Sequence, residues 1–247
     1  MADNIKLYYW NGELNAGDIF SSFILDSMGV PFEFSDTPDI GITGSILSDY
    51  RFDGDAYIWG LGFGNPDEAV YRKNVCAVRG KLTQQLLGVE CAVGDPGILA
   101  SKFYHNTTSK KYKFGIIPHY IDYEFFSQQD KCRIIDIRTS NFIELFNAIN
   151  ECEVILSSSL HGLIFALSYG IPAIHIKHNE LLSRDSFKFR DFYSCLSIPY
   201  SMISVQDISN FNAIDFDGLY KRRDDYNISD AEINAIQTSL LDCFPYK

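Results

Sequence analysis

Hydrophobic residues follow two different periods along this chain. Short apolar runs rich in Val and Ile are typical of buried strands, and they alternate with segments whose apolar residues recur every three or four positions, as on one face of a helix. The pattern predicts strands at residues 5–9, 40–46, 56–59, 75–78, 89–93, 114–117, 133–137, 153–156 and 172–176. It predicts helices at about residues 18–28, 81–87, 141–150 and 161–169.

A polar, lysine-bearing segment at residues 104–112 interrupts this alternation, and we interpret it as a linker between domains. Strands that alternate with helices form right-handed βαβ units and parallel sheets. The sequence therefore predicts an α/β protein with two Rossmann-like domains facing a cleft, at residues 1–105 and 112–247. The tail, residues 201–247, could pack back on the first domain.

Composition narrows the classes of function. The chain has 247 residues, of which 46% are hydrophobic and 21% are charged, as is usual for a globular protein. Its net charge of −11 disfavours nonspecific binding to nucleic acid or to an anionic membrane surface. We expect no nucleic-acid partner, and an anionic ligand would have to be held by a local group of cations.

The cysteines and the apolar runs give two further expectations. The six cysteines are scattered, and no His, Cys or carboxylate cluster has metal-ligand spacing, so we expect reduced thiols and no bound metal. The N-terminal residues contain no signal-like apolar segment, and no run approaches the length of a bilayer span. The sequence therefore predicts a cytoplasmic protein.

Residues 153–172 have the most specific functional pattern. A β-rich apolar run ends in three serines, and His161 and Gly162 then open an apolar helical pattern. A strand that leads into a helix through such a turn aims free amide N–H groups at one spot beyond the carboxyl end of the strand, where open α/β sheets bind ligands. A histidine there titrates near neutral pH. The segment therefore predicts an anion site with an acid beside it.

Five short motifs, in this order and spacing, resemble the polysaccharide pyruvyl transferase family. They are Asn15-Ala16-Gly17-Asp18, Ile58-Trp59-Gly60-Leu61-Gly62-Phe63, Val78-Arg79-Gly80 with Thr83 and Leu87, Gly94-Asp95-Pro96 with Ile117-Pro118-His119-Tyr120, and Ser157–Gly162 with Gly170-Ile171-Pro172. The resemblance implies a GT-B-like pair of Rossmann-like domains. It also implies transfer of the enolpyruvyl group of phosphoenolpyruvate onto two hydroxyls of a sugar, giving a pyruvate ketal in surface polysaccharide biosynthesis.

The same resemblance implies the partners of the reaction. Phosphoenolpyruvate would be a co-substrate held on the C-terminal domain, with no further cofactor. The acceptor, a sugar or a lipid-linked oligosaccharide, would lie on the N-terminal side, and the protein would contact a membrane only through such an acceptor. Many members place an arginine where this chain has Ser159. Another cation must therefore balance the charge of the donor here.

Three residues are candidates for catalysis. Ketal formation needs a proton at the methylene carbon of the donor, and an imidazole suits that role, so we predict His161 as the acid. His119 follows a predicted strand and could bind phosphate or act as the alternative acid. Asp18 is most simply a helix cap. The resemblance makes it an acceptor contact or the base for an acceptor hydroxyl.

Phosphoenolpyruvate carries nearly three negative charges, so its site needs amide groups and several cations. Residues 177–190 contain four cations against two carboxylates, and we predict that they overhang the serine turn as a loop. Arg79 either pairs with a carboxylate such as Asp95 or reaches into the cleft. The predicted substrate-binding residues are Asn15, Gly17, Arg79, Ser157, Ser158, Ser159, Leu160, Gly162, Arg184, Lys188 and Arg190.

Two other functions fit the same sequence. A GT-B-like glycosyltransferase that uses a nucleotide sugar would share the fold and the anion site. A non-catalytic sugar-binding relative would explain why Ser159 stands where an arginine is usual. Binding of phosphoenolpyruvate against a UDP-sugar separates the first of these from a pyruvyl transferase, and phosphate release separates the second.

Overall fold

The computed structural model describes residues 4–106, 108–178 and 186–246. In this part of the chain the strands form two sheets, and all neighbouring strands are parallel. The first sheet contains β1 (Ile5–Leu7), β2 (Phe32–Phe34), β3 (Ile40–Gly41), β4 (Tyr57–Trp59), β5 (Asn74–Val78) and β6 (Ala92–Val93), in the spatial order β2-β1-β3-β4-β5-β6. The second contains β7 (Tyr112–Ile117), β8 (Arg133–Ile134), β9 (Cys152–Ser157), β10 (Ala173–Lys177) and β11 (Met202–Ser204), in the order β11-β10-β9-β7-β8.

Helices connect and cover these strands. They are α1 (Ala16–Ser27), α2 (Lys81–Leu87), α3 (Ala100–Phe103), α4 (Tyr123–Phe126), α5 (Phe142–Asn150), α6 (Leu160–Ser168), α7 (Ser186–Tyr193), α8 (Ile208–Asn212), α9 (Phe216–Lys221) and α10 (Asp230–Asp242). Short 3₁₀ turns occur at Tyr50–Phe52, Pro66–Glu68, Pro96–Leu99, Tyr120–Asp122 and Arg223–Tyr226. Parallel strands need such crossover helices because a tight hairpin cannot join them.

The predicted α/β class with two parallel sheets is confirmed, and each predicted strand and helix overlaps an observed one. The prediction of a loop throughout residues 177–190 was wrong, because α7 begins at Ser186. Its charged residues obscured a helix whose buried side includes Phe187 and Phe192. The domain boundaries and the GT-B-like arrangement stay predictions.

Helix α6 lies at the centre of the molecule. All nine of its residues are buried, since it packs against β9 and β10 on one side and against the turn Pro96–Leu99, α1 and α3 on the other. A helix that is apolar all round is typical of such an interior position. One continuous apolar cluster, with Phe20 from α1 and Phe165 from α6, joins elements of both sheets. The N-terminus of α6 is therefore held rigidly where the two sheets approach each other.

Two later helices also pack on the first sheet or on the helix that follows β5. Helix α7 packs on α2, and α10 packs on β6 and on the turn Pro96–Leu99. The indole Nε1 of Trp59 donates a hydrogen bond to the carbonyl of Leu240, at 2.8 Å. These contacts tie α7, which lies between β10 and β11, and the C-terminal helix α10 to the elements of the first sheet.

None of the helices in the described ranges is long and apolar enough to cross a bilayer.

Candidate active site

A cavity of about 350 Å³, which we call the cleft cavity, lies between the two sheets. Its walls come from the chain that follows the carboxyl ends of β1, β3, β7 and β9, together with α7. This is the position in which open parallel sheets bind ligands. The lining residues are Trp10, Asn15, Asp18, Gly44, Ser45, Ile46, His119, Tyr120, Ser159, Leu160, His161 and Lys188.

The serine turn presents the N-terminus of α6 to this cavity. Ser157 is fully buried, and its Oγ lies 2.6 Å from the carbonyl oxygen of Ile117 and accepts a hydrogen bond from the amide of Ser159 at 3.0 Å. Ser159 is the N-cap in an extended conformation, and within the described residues its side chain caps no amide of the helix. The first amides of α6 have no intrahelical acceptor. The turn therefore leaves N–H groups and the positive end of the helix dipole for an anion.

His161 is held between two glycines of the first sheet's connections. A Cβ added to Gly17 would overlap the imidazole, and one added to Gly97 would lie 3.5 Å from its Cδ2. The Nδ1 edge of the ring faces Gly17 at the start of α1, while Nε2 lies 3.7 Å from Oδ1 of Asp95. His161 therefore crosses from the second sheet's helix to the first sheet's side of the cleft, and only 7% of the residue is exposed.

Burial displaces the pKa values of three groups around this cavity. Burial, together with the positive charges of Arg79 and Lys188, lowers the pKa of His161 to about 3. Burial raises the pKa of Asp18 to about 7, against the opposing effect of Lys188. It also raises the pKa of Asp95 to about 6, although the Gly97 amide donates a hydrogen bond to the carboxylate. At neutral pH, His161 is therefore neutral, whereas the carboxyl of Asp18 titrates in this range.

This result corrects one expectation from the sequence. We expected His161 to titrate near neutral pH and so to carry the catalytic proton. In the unliganded protein its pKa lies far lower, because the ring is buried beside two cations. The carboxyl of Asp18, in the cleft cavity, has a pKa near neutral.

Arg79 is buried beneath the cavity wall and does not line it. Its Nε is 2.9 Å from Oδ2 of Asp191, a residue of α7, and both side chains are fully buried. Its Nη1 donates to Ser45 Oγ at 2.7 Å and its Nη2 to the carbonyl of Phe63 at 2.6 Å. Asp191 also accepts hydrogen bonds from the amide and hydroxyl of Thr83. Of the two alternatives predicted for Arg79, the structure therefore shows the pairing with a carboxylate. The partner is Asp191 and not Asp95.

Helix α7 separates two residues that we had placed in one site. Lys188 lines the cleft cavity, whereas Arg190 lines a second cavity of about 370 Å³ with Ser158, His175 and Lys177. Residues two apart on a helix point about 200° apart, as follows from 3.6 residues per turn. Arg190 and Ser158 therefore do not share a cavity with His161. Arg184 lies outside the described residues.

The first sheet's side of the cleft cavity is polar and aromatic. Asn15 is the N-cap of α1, with its side chain accepting from the amide of Gly17 at 2.9 Å, and Asp18 lies in the first turn. The ring of Trp10 stacks across the cleft on Tyr120, which follows β7 of the second sheet, with centroids 6.3 Å apart, and the ring of His119 lies against Tyr120. Flat aromatic faces beside short polar groups suit a sugar ring.

Of the remaining predicted residues, the two glycines allow close packing and the other two line the cavity. A Cβ added to Gly162 would overlap Ser157 Oγ, and one added to Gly17 would overlap His161, so both glycines allow close packing and neither lines the cavity. Leu160 and Ser159 line it.

The sequence analysis did not place two buried carboxylates in the site. Asp95 is the neighbour of His161, and Asp191 anchors α7. Gly94-Asp95-Pro96 was already conspicuous as a motif, whereas nothing in the sequence pairs Asp191 with Arg79 over 112 positions.

Comparisons with known proteins identify the family of the chain. The family model of polysaccharide pyruvyl transferase matches residues 51–180, and the chain belongs to that family. Uncharacterized protein L143 of Acanthamoeba polyphaga mimivirus is 31% identical over 86% of this chain and 85% of its own. Succinoglycan biosynthesis protein ExoV of Rhizobium meliloti (strain 1021) is 25% identical over 79% of this chain and 66% of its own. No solved structure matches the chain significantly.

Proposed function

We propose that the protein is a pyruvyl transferase of polysaccharide biosynthesis that moves the enolpyruvyl group of phosphoenolpyruvate onto two hydroxyls of one sugar. The observation that carries the proposal is the composition of the cleft cavity, where the amide end of α6, Lys188, His161 and Asp18 converge. Family membership and the name of the ExoV relative support the same class of reaction. A GT-B-like arrangement of two domains and a cytoplasmic location belong to this proposal.

The donor would occupy the second sheet's side of the cavity. The first amides of α6 and the ammonium of Lys188 would hold its anionic groups, with Lys188 in place of the arginine that is usual at Ser159. His119, at the end of β7, would contact the phosphate. The acceptor would occupy the other side, with its ring against Trp10 and Tyr120 and its hydroxyls near Asn15 and Asp18.

The protonation states of Asp18 and His161 before the reaction suggest which of them gives and which of them accepts a proton. In the first step, Asp18 gives its proton to the methylene carbon of the donor, and the π electron pair forms the new C–H bond. The first acceptor hydroxyl adds to the central carbon and its proton passes to His161. The pKa values, about 7 for Asp18 and about 3 for His161, allow Asp18 to hold a proton and leave the imidazole neutral at rest, so we exchange the roles that we assigned from sequence. An imidazole with so low a pKa accepts a proton readily only with the anionic donor bound beside it, because that charge favours the imidazolium.

In the second step, the bond between the central carbon and the phosphate oxygen breaks, and the electron pair leaves with phosphate. Phosphate takes the proton from His161. The second hydroxyl attacks the oxocarbenium carbon and returns a proton to Asp18. One hydroxyl proton has then reached the methyl group and the other the phosphate, so both side chains end as they began and no metal or redox partner enters the balance.

The test is turnover by the full chain with phosphoenolpyruvate and a panel of hexosides and N-acetylhexosaminides. We expect ³¹P NMR to show inorganic phosphate appearing together with a new methyl singlet in the ¹H spectrum. A parallel reaction with UDP-hexoses in place of phosphoenolpyruvate should release no UDP. Release of UDP would favour the glycosyltransferase, and a lack of turnover with both donors would favour a non-catalytic sugar-binding protein.

A further inference from the structure

We propose that Asp95 is a positioning residue for His161, holding the Nε2 proton so that Nδ1 faces the acceptor side of the cleft as the base. The Asp95–His161 contact does not depend on the reaction, whereas the role of His161 as a base rests on the proposed function. Asp95 follows β6, on the first sheet, and His161 opens α6, next to the second. The pair therefore also couples the two halves of the site.

Asp95 is buried, and its carboxylate lies beside the imidazole of His161. Only 1% of the residue is exposed, and its Oδ1 accepts a hydrogen bond from the amide of Gly97 at 2.8 Å while lying 3.7 Å from His161 Nε2. A separation of 3.7 Å exceeds a hydrogen bond, but catalytic contacts often tighten when a substrate binds. The Gly97 amide fixes the carboxylate, so the imidazole needs to move by less than about 1 Å, given an ordinary bond of 2.7–3.2 Å.

Two unsatisfied polar atoms point to this closure. Within the described residues, neither Nε2 of His161 nor Oδ2 of Asp95 has a hydrogen-bond partner, and both atoms are buried. Buried polar groups are nearly always paired, because an unpaired group loses its hydration without compensation. The imidazole N–H and the carboxylate are complementary and adjacent, so each supplies what the other lacks. With Nε2 protonated, the lone pair is on Nδ1, at the edge that faces Gly17 and α1.

The charged groups around the pair are suited to this arrangement. Arg79 acts on both members and is paired with Asp191, and Asp18 and Lys188 line the cavity. The thiol of Cys195 lies close enough to Asp95 for the carboxylate to raise its pKa. An anionic donor in the cavity would make protonation of His161 easier. Asp95, ionised above its pKa of about 6, would then stabilise the imidazolium that forms when the acceptor hydroxyl gives up its proton.

The experiment measures the tautomer of His161 directly in the full chain. With ¹⁵N-labelled histidine, a long-range ¹H–¹⁵N spectrum at pH 7.5 distinguishes Nε2–H from Nδ1–H, and the variant His161→Gln assigns the signals. We expect Nε2–H in the wild type and a shift toward Nδ1–H in Asp95→Asn, since an asparagine amide can donate to Nε2. His175 is the internal control, because its Nδ1 pairs with Tyr200 Oη at 2.9 Å, and its signals should not change.

Turnover gives the second measurement. We expect Asp95→Asn to lower kcat by roughly 10²–10⁴-fold, as expected when a general base is held in the wrong tautomer, with KM for phosphoenolpyruvate changed by less than about threefold. An Nδ1–H wild type overturns the inference even if Asp95→Asn does not fold, and so does an unchanged tautomer in the variant. If the wild type shows no phosphate release, the proposed function fails, and the tautomer of His161 still decides the role of Asp95.

Discussion

Asp18 and His161 line the same cavity with pKa values displaced in opposite directions, and the cause for both is removal from water. The cationic surroundings favour an unprotonated imidazole, and they only partly offset the effect of burial on the carboxyl. At neutral pH the cavity thus holds a carboxyl that can give up a proton and an imidazole that is unprotonated. Pairs of titratable groups whose environments separate their pKa values are typical of acid–base sites.

This arrangement should reduce stability at the site. The folded-state pKa of Asp18 is about 7, above its ordinary value of 3.8, so the folded protein binds this proton more tightly than the unfolded chain. The resulting destabilisation is absent below pH 3.8, grows as the pH rises through the interval, and is complete above pH 7. We expect Asp18→Asn to remove it and to raise the free energy of unfolding at pH 8 by about 1–2 kcal/mol, less than the full shift implies because the carboxyl is only partly shielded from solvent.

Thermal and denaturant unfolding at pH 8 and pH 4 check this prediction, with turnover measured in parallel. The stabilisation should be much smaller at pH 4, and phosphate release should fall by at least about 100-fold with the loss of the acid. Asp26→Asn is the matched control, since Asp26 is an exposed carboxylate on the same helix. Equal stabilisation of Asp18→Asn at both pH values would show that its carboxyl is not the group destabilised by burial.

Helix α7 owes its position to a buried ion pair. The Arg79–Asp191 contact, with Thr83 as a further donor, fixes α7 on α2, and Gly80 is needed because a Cβ there would overlap the Asp191 backbone. A buried pair of this kind contributes little net stability, but removal of one partner leaves an uncompensated buried charge. Its role is to define where Lys188 lies relative to the cleft cavity.

A double-mutant cycle tests that role. We expect Arg79→Met to lower the free energy of unfolding by about 3–5 kcal/mol. The double variant Arg79→Met/Asp191→Leu should recover only part of this loss, because the amide and hydroxyl of Thr83 then lose their acceptor. The double variant should still bind phosphoenolpyruvate more weakly than the wild type, because α7 loses its polar anchor. Unchanged affinity in a stably folded double variant would show that the ion pair does not position Lys188.

Local patterns predicted the elements of the fold better than the contacts among them. Apolar runs predicted β5, β7, β9 and β10 correctly, because strands buried in a parallel sheet are rich in residues such as Val and Ile. The edges were less predictable: β2 is largely exposed, and α7 carries charged residues that mask its apolar side.

At the site, the serine turn and His161 could be found from sequence, since strand, turn and helix N-terminus are local. The partners of Arg79 and His161 could not, because they are brought together only by the packing of the two sheets.

For the whole molecule, the cleft is the functional unit. One apolar cluster runs through both sheets, and α6, α7 and α10 cross between them, so groups from distant segments are held in a fixed relation. Lys188 and Arg190 illustrate the consequence. They are neighbours in a basic segment of an otherwise acidic chain, yet the helix directs them into different cavities. Substitution of each residue therefore shows which of the two cavities binds the donor.

The most direct measurement of the central claim is the affinity for phosphoenolpyruvate, by titration calorimetry, of the wild type, Lys188→Gln and Arg190→Gln. Both variants remove one positive charge from α7, so the long-range electrostatic effect is matched. We predict that Lys188→Gln weakens binding at least about tenfold, or 1.4 kcal/mol, and that Arg190→Gln changes it less than about twofold. Equal weakening by the two variants, stronger weakening by Arg190→Gln, or no binding by the wild type would contradict the placement of this donor in the cleft cavity.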